Sequence, residues 1–163
     1  MSVIGDTPPA TLGGVKPSVS RRFTTTAAPD VVFDYLADFG NAEEWDPGTK
    51  SCELVEGDGG VGSAYRNVSV FLGRESEIRY VAAELDRPGR IHFAGTNEQF
   101  EGHDVIEIRP HEAGSEVTYN AQFGFKGVAQ LAVPVVAVYL PFLATKVVDQ
   151  LQGCLDRLGA HEG

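Results

Sequence analysis

GVAQLAVPVVAVYLPFLATKVVDQLQGCLDRL, residues 127–158, is the stretch on which the fold turns. It reads as one long apolar helix broken into by Pro134 and Pro141, each of which removes a backbone donor and favours a kink or a short helix followed by a longer one. From Lys146 onward it becomes amphipathic. Val147, Val148, Leu151, Leu155 and Leu158 fall on one face, with Lys146, Asp149, Gln152, Asp156 and Arg157 on the other. Residues 127–145 carry no charge and approach the roughly 20 residues a membrane span needs. The two prolines and Gln130 argue instead for a core or lid helix, with membrane contact through residues 128–143 left open.

Upstream of this helix the pattern changes period. Strands are expected at Ser18–Thr26, Thr49–Glu56 and near 63–71, 74–85, 89–97, 102–110 and 115–125, separated by Gly, Asp and Pro turn signals. Hairpin-length connections imply antiparallel neighbours. Pro29 and Asp30 open a first helix whose stripe is Val32, Tyr35, Leu36 and Phe39, and Asn41 precedes a short second one ending at Trp45. The fold class is therefore α+β: a sheet with one face to cover and a terminal helix to cover it. A gap between the two becomes a cavity for an apolar molecule.

The 163 residues are read as a tail over 1–16, rich in Pro and Gly and expected to be disordered, one domain over 17–159, and a frayed end over 160–163. No internal repeat is visible. The 13 basic and 23 acidic side chains give a net charge of −10, which repels phosphate backbones and speaks against nucleic acid as a partner. Cys52 and Cys154 lie outside metal-ligand spacing and are expected to be reduced thiols. With no basic leader or apolar core at the start, a cytoplasmic location is expected.

Few motifs promise chemistry. Gly57-Asp58-Gly59-Gly60-Val61-Gly62 matches G-x-G-x-x-G, but a strand, not a helix, is expected after it, so it reads as a turn. His92, His103, His111 and His161 show no paired spacing; they are read as surface histidines, and no metal or other cofactor is expected. Sorting strands into faces is more informative. Val117, Tyr119, Ala121, Phe123 and Phe125 share a face, as do Ile78, Tyr80 and Ala82, and Ile91 and Phe93. Asp104 shares one with Ile106 and Ile108, and Arg66 is assigned to the face of Ala64, Val68 and Val70. An Arg on an apolar face pairs internally with Asp104, belongs to a register slipped by one residue, or anchors a ligand's carbonyl or carboxylate. Tyr35, Tyr80, Tyr119 and Tyr139 are either core filler or cavity hydroxyls, and Trp45 is an anchor at the mouth.

The order of parts resembles the helix-grip proteins of the START and birch-pollen-allergen superfamily (SRPBCC), in its polyketide cyclase/dehydrase-type branch. The resemblance rests on Ala28-Pro29-Asp30-Val31-Val32-Phe33-Asp34-Tyr35-Leu36, on Glu44-Trp45-Asp46-Pro47-Gly48, and on Gly62 and Gly73. Leu85-Asp86-Arg87-Pro88, Gly114-Ser115-Glu116-Val117-Thr118-Tyr119 and Gly127 through Pro134 complete it. It implies about seven antiparallel strands gripping the terminal helix around a hydrophobic-ligand cavity. In aromatase/cyclase relatives an Arg and Tyr hydroxyls steer aldol closure and water loss, parts that Arg66, Tyr35 and Tyr80 could take here. The uncharged segment Val128–Leu143 departs from the branch.

Three functions follow as expectations. The first is binding of a small hydrophobic molecule (lipid, isoprenoid or polyketide-like) against Tyr35, Trp45, Arg66, Tyr80, Phe93, Tyr119, Phe123 and Tyr139. The second is a cyclase/dehydrase, with Arg66, Tyr35 and Asp104 as candidate catalytic groups. The third is an interaction module using the apolar helix, in a monomer or homodimer.

Overall fold

A computed structural model describes residues 16–162. Seven strands form one antiparallel sheet: β1 (Ser18–Thr25), β2 (Thr49–Glu56), β3 (Ala64–Phe71), β4 (Arg74–Asp86), β5 (Arg90–Thr96), β6 (Phe100–His111) and β7 (Gly114–Phe125). Their order is β1-β7-β6-β5-β4-β3-β2, a meander whose first strand swings round to pair with its last. Two short helices, α1 (Pro29–Ala37) and α2 (Ala42–Trp45), connect the edge strand β1 to the opposite edge β2. They must therefore cross the concave face of the sheet, and that crossing carries Phe39 and Trp45 into the core. A 3-10 turn (Gly127–Ala132) leads into α3 (Val133–Glu162). This is the helix-grip arrangement that the family resemblance implies.

Of the two forms expected for the terminal segment, it takes the second, a short helix followed by a longer one. Pro134 falls in the first turn of α3, where no intrahelical donor is lost, and the residues before it take the tighter 3-10 form. Only Pro141 sits inside the helix. The glycine-rich stretch 57–62 is the β2–β3 turn and leads into a strand. The tail expected over 1–16 lies outside the described residues except for Lys16, which pairs with Glu101 at 3.3 Å. Residues 160–162, expected to fray, continue α3, and Gly163 lies outside the described residues.

The grip is strongest at the C-terminal half of α3. Leu151, Cys154 and Leu155 are buried against Phe23, Ala27, Val32 and Leu36 in one apolar cluster. Polar ties reinforce it: Asp156 Oδ1 accepts from Thr25 Oγ1 at 2.6 Å and from Thr26 N at 3.1 Å, and Gln152 Nε2 donates to Thr24 O at 2.7 Å. Gly159 lets the helix touch the β1–α1 corner, since a Cβ there would lie 2.7 Å from Ala27 N. The N-terminal half is different. It buries a narrow stripe, Val136, Leu140 and Ala144, and leaves Val135, Val138, Tyr139 and Phe142 exposed.

Candidate functional site

The concave face of the sheet carries an aromatic interior with a few polar groups set in it. Tyr80 on β4 lies across from Gly95 on β5, and a Cβ at Gly95 would meet the tyrosine ring at 2.5 Å; the glycine is the space the ring occupies. Phe39, delivered by the crossover, contacts Phe93 at 4.3 Å and Tyr80 at 4.7 Å between ring centroids. Tyr65 meets both Phe39 and Phe93 at 5.9 Å. These rings pack closely and fill the space beneath the crossover. Open hollows lie elsewhere: one of about 370 Å³, for example, is bordered by Val55, Arg66, Glu77 and Asn97 near the β3–β5 end.

Asp104 is the unusual member. It points inward from β6, is 7% exposed, and accepts a hydrogen bond from Tyr119 Oη at 3.1 Å. Burial disfavours its charged form and the charge of Asp46 adds to that; the Tyr119 bond opposes both, and its pKa is pushed up to about 7. Burial likewise raises the Tyr80 and Tyr119 hydroxyls well above their ordinary value, so both stay protonated donors. Asp46 follows α2 and accepts from Gly48 N at 2.8 Å and Thr49 Oγ1 at 2.9 Å.

Trp45 completes the group. It is 1% exposed, its ring meets Tyr119 edge-on at 6.0 Å, and among the described residues its indole N–H has no hydrogen-bond partner. A buried donor left unpaired costs about 1–3 kcal/mol. The indole is thus in the interior, where the sequence suggested an anchor at the mouth, and its ring meets the tyrosine that donates to Asp104.

Of the residues named from sequence, the structure brings Trp45, Tyr80, Phe93, Asp104 and Tyr119 into this interior. Phe123 is half-buried beside Phe100, at 5.8 Å. Tyr35 is half-buried on α1 and donates to Glu44 Oε1 at 2.6 Å; burial, then this bond, raises its pKa. Tyr139 is 43% exposed on α3 and lines no interior.

Arg66 is the main correction. It points outward from β3 and pairs with Glu77 at 2.9 Å and Glu53 at 3.4 Å. Its expected partner Asp104 is bound by Tyr119 on the opposite face. The register is slipped by one: Tyr65 and Asn67 are buried, whereas Val68 and Val70 face out with Arg66. Asn67 escaped notice because a polar side chain reads as surface; here its Nδ2 donates to Thr49 Oγ1 at 3.1 Å. Arg66→Ala is expected to cost under about 1 kcal/mol in urea unfolding, as solvated ion pairs do, and to leave ligand affinity unchanged.

The histidines also differ from expectation. His92 and His103 converge on the outer face of β5 and β6, with Nε2 and Nδ1 2.9 Å apart. Among the described residues no group of three His, Cys, Asp or Glu side chains could hold a metal ion. Cys52 and Cys154 are free and buried, and burial pushes the Cys52 thiol up to about 12.

Known structures share this architecture at low identity. A START superfamily protein from Mycobacterium smegmatis superposes with a TM-score of 0.72 at 16% identity, over 86% of this chain and 98% of that one. Ara h 8.0201 gives 0.63 at 18%, again over 86% and 98%. The di-domain ARO/CYC StfQ from the steffimycin biosynthetic pathway gives 0.68 at 11%, over 89% of this chain and 52% of that one. At such identities the likeness extends to the fold alone. No curated protein matches. A family profile described as polyketide cyclase/dehydrase and lipid transport matches residues 16–161, and the chain belongs to that family.

Proposed function

We propose that the protein binds a small, largely apolar molecule bearing a carbonyl or hydroxyl oxygen, held between the concave face of the sheet and the α1–α2 crossover. The unpartnered indole N–H of Trp45 carries this reading. A ligand oxygen accepting from it would remove the cost of an orphaned buried donor, while Phe39, Tyr65, Tyr80 and Phe93 supply apolar contact. The same rings must part to admit the ligand, so binding is coupled to a rearrangement of the crossover.

One observation favours a second reading, catalysis. A carboxyl with a pKa of about 7 exchanges its proton readily near neutral pH, and Asp104 has Tyr119 Oη in contact. On a β-keto substrate, carboxylate Asp104 would take an α-proton, the resulting enolate carbon would bond to a second carbonyl carbon, and that oxygen would be protonated. Loss of a second α-proton and of the new hydroxyl as water would complete dehydration. Arg66 has no part in it, and Tyr80, Tyr119 and Trp45 are the donors for the developing negative charge.

Calorimetric titration with a medium-chain methyl ketone and the alkane of equal length tests the binding reading. The ketone should bind at least about tenfold more tightly, the worth of one well-made hydrogen bond to a waiting donor. Equal affinities, or no heat from either, would overturn it.

A further inference from the structure

The N-terminal part of α3 and the 3-10 turn before it present an apolar surface that nothing among the described residues covers. Val128, Leu131 and Val138 are 77%, 82% and 76% exposed, and Val135, Tyr139 and Phe142 are exposed beside them. Their spacing of three and four residues puts them along one side of the helix, away from the buried stripe of Val136, Leu140 and Ala144. They are protruding tips on a convex rod, not the walls of a groove.

Charge is segregated along the sequence that forms this surface. Residues 117–148 contain no Asp or Glu and two lysines, whereas the rest of the chain holds all 23 acidic side chains and 11 of the 13 basic ones. Lys126 and Lys146 stand at the two ends of the uncharged run, roughly 30 Å apart along the helix. Lys146 Nζ lies 4.9 Å over the Phe142 ring, and Arg21 Nη2 donates to Pro141 O at 3.3 Å. Among the described residues none of these three cations is in an ion pair.

We propose that this side of α3 docks onto the surface of a lipid bilayer, lying in the plane of the interface with Leu131, Val138 and Phe142 inserted below the headgroups. A fluid bilayer accepts protruding apolar tips without a complementary pocket, and lysines at the two ends of a run with no acidic side chain suit phosphate headgroups. The acidic remainder is turned to water. The helix does not span: its continuation past Lys146 carries Asp149, Asp156 and Arg157 and is bound to β1, and its opposite stripe is buried in the protein. This surface is separate from the ligand-binding interior, so either reading stands if the other falls.

Flotation of the full chain with phosphatidylcholine vesicles and with 4:1 phosphatidylcholine:phosphatidylglycerol vesicles tests it. Binding to both is expected, changing less than about twofold in 0.5 M NaCl because insertion is apolar. The triple variant Leu131→Ser/Val138→Ser/Phe142→Ser alters only half- to fully exposed positions and should bind at least about tenfold more weakly with an unchanged melting curve. Phe142→Trp should show a blue-shifted emission quenched by brominated phosphatidylcholine. The proposal is overturned if the full chain does not float, if the triple variant floats equally well, or if light scattering finds a dimer that the triple variant dissociates while vesicles bind neither.

Discussion

Asp104→Asn is expected to stabilise the protein above pH 7 and to flatten its pH dependence. The Asp104 carboxyl titrates near 7 in the folded chain against an ordinary 3.8, chiefly because burial disfavours its charge. Below about pH 4 the carboxyl is protonated whether the chain is folded or not, and the native preference for the neutral form counts in full. As pH rises through 4 to 7 the unfolded chain releases this proton while the folded chain retains it, so stability falls. Above 7 the loss is complete, with a ceiling of about 4 kcal/mol for a shift of this size. Asparagine preserves the shape and an oxygen to accept from Tyr119 without ever charging. Urea unfolding of both proteins from pH 4 to 8 reads the effect as a gap in midpoint that is small at pH 4 and widest at pH 8. Parallel curves would mean that Asp104 is ionised at little cost in the native state. The same variant separates the two functional readings: a binding protein keeps its ketone affinity, whereas a cyclase loses turnover, since asparagine cannot take the α-proton.

Trp45→Ala should have the larger effect on stability at neutral pH. The side chain is fully buried, in ring contact with Phe39 and Tyr119, and sits where the crossover meets the sheet. Truncating a buried Trp costs about 3–5 kcal/mol, a large share of the 5–15 kcal/mol typical of whole domains. Trp45→Phe isolates the donor from the bulk. It keeps much of the ring contact and removes an N–H that has no partner among the described residues, so two opposing effects leave stability within about 1.5 kcal/mol of the parent. Its consequence should appear in binding: the preference for ketone over alkane seen by calorimetry should collapse toward one. A Trp45→Phe protein that still discriminates tenfold would place the recognising donor elsewhere, with Tyr80 the next to examine.

The architecture was legible because period-two strands, hairpin turns and a terminal apolar helix are each strong local signals, and all seven strands fall close to where alternation marks them. The interior was legible on β4–β7, where one face of each strand is plainly apolar. β3 was not. It carries valines outward and an asparagine inward, so the apolar pattern points to the wrong face. The outward valines share their face with the ion pairs of Arg66 with Glu53 and Glu77, and Val70 remains 39% exposed there. Tyr139 was misplaced for a related reason: residues 127–145 are uncharged on every side, so no polar stripe marks which face turns to solvent. The missing partner of Trp45 has no sequence signature, since it depends on what does not reach the nitrogen.

The pairing of β1 with β7 has a kinetic consequence. Six strands, β2 through β7, are joined by short hairpins and can zip up from neighbours, whereas Ser18 must find Gln122, 104 positions along the chain, and Thr25 must find Ser115, 90 positions along. Closing so long a loop is entropically unfavourable until other contacts have drawn its ends together, so this ladder belongs to the late, slow part of assembly. Until it forms, β7 is an unprotected edge, and α3 lacks the strand to which Asp156 and Gln152 tie it. A half-assembled chain thus shows a bare strand and a loose apolar helix together, which makes crowded refolding the condition under which this protein is most prone to stick to itself.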